Sequence, residues 1–120
     1  MKLEIRSFAD VGEISKERII LKALKDLDVG DYAVLRSRTG SNGREPTSGR
    51  KTAYWFPDEK VQADDLIILY TKEGTRGTKL LDDGQTAHFF YWGRKEAYWN
   101  DSRYGAALLE VSEWQFKVPD

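Results

Sequence analysis

Five cations crowd one stretch of this 120-residue chain. Arg36, Arg38, Arg44, Arg50 and Lys51 stand against one acid, Glu45, a local charge of +4. Guanidinium groups present planar forks of donors that match phosphate and carboxylate oxygens. Tyr54 and Trp55 follow closely, and aromatic faces beside cations suit stacking on nucleic-acid bases. The chemistry open to these seven residues is recognition of an anionic partner, protein or nucleic acid. The same stretch carries Gly40, Ser41, Asn42, Gly43, Pro46 and Gly49 and no large apolar side chain, so it reads equally as a solvated loop.

Catalytic sets are harder to assemble. His88 is the single histidine and there is no cysteine, which removes thiolate nucleophiles, disulfides and the usual transition-metal ligand sets. No Gly-x-Ser-x-Gly elbow is present. His88 opens an apolar run, as a structural or exposed imidazole does. Gly43 to Thr52 has five residues between its glycines and an arginine before its lysine, so it departs from a phosphate-binding P-loop. Asp26, Asp28 and Asp31 lack the glycine placement and closing acid of a calcium loop and read as turn formers. The neighbouring acids Asp64-Asp65 and Asp82-Asp83 point to opposite faces or lie in turns. The expectation is a protein without catalytic residues, metal or cofactor.

The elements that must position these residues read as short strands. Leu3 and Ile5 alternate with charged neighbours, giving a strand over 2–8. Tyr32 to Leu35, Ala53 to Phe56, Leu66 to Thr71, Lys79 to Leu81, Thr86 to Trp92, Tyr104 to Val111 and Trp114 to Val118 follow as strands. Residues 38–52 form a long loop with a tight turn at Asn42-Gly43, and Asp82 to Gln85 forms a hairpin turn. Residues 15–27 have two readings. Ser15 as an N-cap with Ile20, Ala23, Leu24 and Leu27 at helical spacing gives a helix, and Ile19, Leu21 and Ala23 on one face give a strand. Phe89 to Trp92 cannot all face inward, so two of the four need a covering loop or a partner.

Seven or eight short strands with turn chemistry between them indicate one all-β domain, a sandwich or small barrel, across 1–120. Four Trp, six Tyr and five Phe suit half-buried pleated surfaces. Hydrophobic residues make up 40% and charged residues 32%, which excludes a disordered tail, and the net charge of −1 excludes a global attraction to polyanions. Charge interrupts Met1 to Arg6, and Leu66 to Tyr70 is far too short to span a bilayer as a helix. A cytoplasmic protein without membrane insertion is the expectation.

The order of these features resembles the lamin tail domain family, an immunoglobulin-like β-sandwich. Glu17 to Leu21 is similar to that family's "glu-x-ile-x-leu" strand, and Lys25 to Leu35 to its "asp-leu-ser-gly-trp-x-leu" turn and strand. Tyr54 to Pro57 with Val61 to Tyr70 is similar to "phe-x-phe-pro … leu-x-pro-gly-asp-x-val-x-val". Tyr98 to Ser102 with Ala106 to Leu109 is similar to "trp-asn-asn-x-gly-asp-x-ala-x-leu". Tyr32 stands where the family has Trp, Ala63-Asp64 where it has Pro-Gly, and the loop 38–52 is long for it. The resemblance implies a strand at 17–24 and a non-catalytic binding module that presents the 36–51 loop. The alternative is a structural or self-assembling protein, a homo-oligomer built through aromatic surface and edge strands.

Overall fold

The computed structural model describes residues 1–47, 49 and 51–119, and Arg50 of the basic stretch lies outside the described residues. The described residues form ten strands: β1 (Leu3–Ala9), β2 (Arg18–Ala23), β3 (Leu27–Asp28), β4 (Tyr32–Arg38), β5 (Thr52–Trp55), β6 (Lys60–Val61), β7 (Leu66–Tyr70), β8 (Gly77–Leu80), β9 (Thr86–Tyr91) and β10 (Tyr104–Glu110). The only helical element among the described residues is a 3-10 turn at Val29–Asp31. A five-stranded sheet runs β1-β2-β7-β9-β8, a three-stranded sheet runs β10-β4-β5, and β3 pairs with β6. All pairs are antiparallel except β7 with β9.

The fold is an all-β sandwich, and β2 shows why. Ile19, Leu21 and Ala23 are fully buried while Arg18, Ile20 and Lys22 are half-buried, a period of two that a helix does not produce. The helix at 15–27 is therefore absent, because pairing with β1 and β7 on both sides outweighs local propensity. Ile67 and Leu69 on β7 and Phe90 on β9 extend the inner face of the large sheet. Tyr32 and Val34 on β4 and Phe56 after β5 meet them from the small sheet, and Phe56 packs edge-on to Phe90 at 5.2 Å. Two-residue β3 and β6 bring the count above the seven or eight strands that the sequence indicates. One expected strand does not form: Trp114 to Val118 joins no sheet and is exposed.

The aromatic run on β9 divides as alternation requires. Phe90 points into the core, while Phe89 and Tyr91 share the outer face with Tyr70, which stacks on Tyr91 at 5.2 Å. Gly74 lies so close over the Tyr91 ring that a Cβ there would collide with it, so the loop after β7 provides intramolecular cover. No helix among the described residues is long and apolar enough to cross a membrane.

Candidate functional site

The described cations of the basic stretch are carried on β4 and on the segment between β4 and β5. Arg38 ends β4 exposed, and Arg44 lies exposed in the following loop, where its backbone N–H donates to Asn42 Oδ1 at 2.9 Å. Lys51 contacts the Thr47 carbonyl of its own loop. Tyr54 faces inward, is half-buried, and packs against Phe56 and Trp92 at 5.1 and 5.9 Å. Trp55 takes the opposite face. Its indole N–H donates to the Gly30 carbonyl at 2.7 Å, and its ring meets Trp114 at 5.5 Å. Neighbours on a strand point to opposite sides, which is why the two aromatics separate.

Arg36 alone joins a cationic cluster, and its companions come from elsewhere in the chain. Its guanidinium lies 3.7 Å from the centroid of Tyr104 and 4.7 Å from that of Tyr98, and its Nε–H donates to the Tyr98 carbonyl at 2.9 Å. Arg94 places a second guanidinium 5.3 Å from the Tyr98 ring. Arg36 and the segment Gly93 to Tyr98 line an open cleft of about 430 Å³, into which Lys95 brings a third cation and Glu96 one acid. Tyrosine faces carry partial negative charge, and this offsets the repulsion between two guanidinium groups held against one ring. Within the described residues no ion pair involves Arg36, Arg94 or Lys95. The nearby Asp101 is occupied by Arg103, with 3.0 and 2.7 Å bonds to its two oxygens; these bonds hold its carboxyl well below the usual range.

The cleft segment is anchored at both ends. Trp92, Gly93 and Arg94 donate backbone N–H groups to Tyr70, Lys72 and Thr71 carbonyls, and Gly93 supplies the positive φ of 84° that this turn needs. At the far end, Tyr98 and Trp99 donate their N–H groups to Glu17 at 2.8 and 3.2 Å. Glu17 is completely buried without a cation. Its oxygens also accept from the Thr71 hydroxyl at 2.6 Å and the Gly12 N–H at 2.9 Å. Burial pushes this carboxyl up, and the four hydrogen bonds together outweigh burial and hold it below its ordinary value. The Tyr98 hydroxyl is buried and makes no hydrogen bond with the described residues.

A second buried polar set surrounds His88. Nδ1 lies 2.7 Å from Glu59 Oε2, and Nε2 lies 2.9 Å from Asp65 Oδ2. Asp65 also accepts from the Gln62 and Thr86 N–H groups, and Glu59 pairs with Arg76 at 2.9 Å. Desolvation raises the Asp65 carboxyl, but its bonds to His88, Gln62 and Thr86 bring it below its ordinary value. Both ring nitrogens are engaged by the protein's own side chains and the ring is buried. His88 is thus a structural imidazole. Among the described residues no group of three or more His, Asp or Glu side chains is arranged to hold a metal ion.

The sequence reading missed Arg94, Lys95, Tyr98 and Tyr104. The signal was available: the pair Arg94-Lys95 follows Gly93 directly between the aromatic run ending at Trp92 and Tyr98-Trp99. A scan of the chain against protein-family models gives no match, and a search of curated proteins gives none either.

Proposed function

We propose that the chain is a non-catalytic binding module that receives an acidic segment of a partner protein in the cleft of Arg36, Arg94, Lys95 and Tyr98. The observation that carries this reading is the pair of guanidinium groups against Tyr98, with Lys95 in the same cleft, so that three cations face the single acid Glu96. Guanidinium groups pre-aligned by stacking lose little freedom when they take up a carboxylate fork. The cleft has room for a few side chains, and Glu96, Asp101 and the net charge of −1 oppose the extended field of a nucleic acid. The resemblance to lamin tail domains supports the same class of role. Its quoted segments fall on β2, β4, β5 to β7, and on the Tyr98 turn leading into β10. The exposed Arg38 and Arg44 are secondary contacts in this reading.

Calorimetric titration with a glutamate-rich peptide and with a short DNA duplex tests it. The peptide binds in a salt-dependent manner; Arg94→Glu with Lys95→Glu weakens it by about tenfold or more, and Arg38→Glu with Arg44→Glu by less than about twofold. Tighter binding of the duplex, abolished by the loop variant and not by the cleft variant, would overturn the proposal in favour of a nucleic-acid partner.

A further inference from the structure

The outward face of the three-stranded sheet is apolar where an exposed antiparallel sheet is normally polar. Trp55 on β5 lies opposite Ala33 on β4, which lies opposite Leu109 on β10, and residues directly opposed in this way share a face. One step along, Ala53, Leu35 and Ala107 form a second apolar row. Trp55 is 49% exposed and Leu109 40%.

The segment after β10 matches this face. It belongs to no sheet, and Trp114, Phe116 and Val118 alternate with Glu113, Gln115 and Lys117. Trp114 already touches Trp55, yet it is 64% exposed, Phe116 76% and Val118 65%. This is the alternating pattern of an amphipathic strand in a segment that has no ladder to join.

We propose that two copies of the chain associate through this face, their 113–118 segments pairing antiparallel about a two-fold axis at Gln115. That register is self-complementary: Glu113 meets the second copy's Lys117, and Trp114 meets its Phe116, each twice by symmetry. The apolar side of the paired segments then covers the Trp55–Leu109 face of both copies. Pro119 ends the pairing, since it has no N–H to donate. With aromatic side chains offering about 150–250 Å² each, the exposed apolar groups supply roughly 600 Å² per copy and about 1,200 Å² in total, the lower bound of a stable specific interface. None of the cleft residues takes part, so this association and partner binding stand or fall separately.

Sedimentation equilibrium of the 120-residue chain from micromolar to millimolar concentration tests it. The chain forms a dimer. Trp114→Glu with Phe116→Glu leaves it monomeric with an unchanged far-UV spectrum, while Leu80→Glu, on the exposed edge strand β8, leaves the dimer intact. Lys117→Glu weakens the dimer by about tenfold, because symmetry repeats the repulsion, and adding Glu113→Lys restores it. A chain that stays monomeric throughout, or a dimer indifferent to the tail substitutions, would overturn the proposal.

Discussion

Two kinds of charged cluster sit a few residues apart in this molecule, and they are finished differently. Glu17 and the Asp65–His88–Glu59 set are enclosed, and the protein's own donors answer their oxygens. Arg36 and Arg94 are held against tyrosine rings and Lys95 lines the same cleft; among the described residues none of the three forms an ion pair, and Glu96 is the one acid lining the cleft with them. The first kind stabilises the fold and leaves no electrostatic capacity unused. The second keeps that capacity facing a cleft. Burial of charge alone does not mark a binding site; what marks it is charge positioned at some cost and left unanswered.

The comparison breaks most readily at Glu17. Glu17→Ala strands four donors drawn from three segments and lowers unfolding free energy by about 3–5 kcal/mol, read from urea denaturation. If the cleft depends on that anchor, the same variant also loses peptide binding. His88→Ala leaves Asp65 buried without its partner and costs about 3 kcal/mol, with Arg76 still serving Glu59. The acid limb of stability follows. Glu17 and Asp65 have folded values below their ordinary 4.5 and 3.8, so the unfolded chain takes up protons first as pH falls. Their contribution is complete above the ordinary values and is lost as pH drops through the folded ones. Glu17→Gln should therefore flatten the decline in denaturation midpoint below about pH 4.5. The smallest effect belongs to the exposed cations outside both clusters: Arg38→Ala and Arg44→Ala change stability by less than about 0.5 kcal/mol.

Much of this architecture was legible in the residue pattern. Asp82 to Gln85 form the hairpin turn, closed by a 2.7 Å bond from the Leu81 N–H to the Gln85 carbonyl, whereas residues 15–27 carried a helical pattern beside the strand face of Ile19, Leu21 and Ala23, and only the pairing decides between them. The segment Trp114 to Val118 has an equally good alternating pattern and forms no strand in the single chain, because alternation describes what a strand would bury and not whether an edge is available to it. The site was legible only in part. Arg36 of the basic stretch lines the cleft, but the cleft's other cations lie about sixty residues away in sequence, and Tyr54 and Trp55, neighbours on a strand, point to opposite faces. Glu17 was noticed only as the start of a strand segment; its role as an anchor was not legible, since three of its four partners are 54 to 82 residues away.

The direct test of the open cluster is to follow backbone amide resonances of the chain while the glutamate-rich peptide is added. The account predicts saturable shifts concentrated at Arg36 and over 93–98, with the amides of Gly12 and Thr71 around Glu17 unmoved. Shifts confined to 38–47, or none at concentrations where binding is seen by heat, would contradict it.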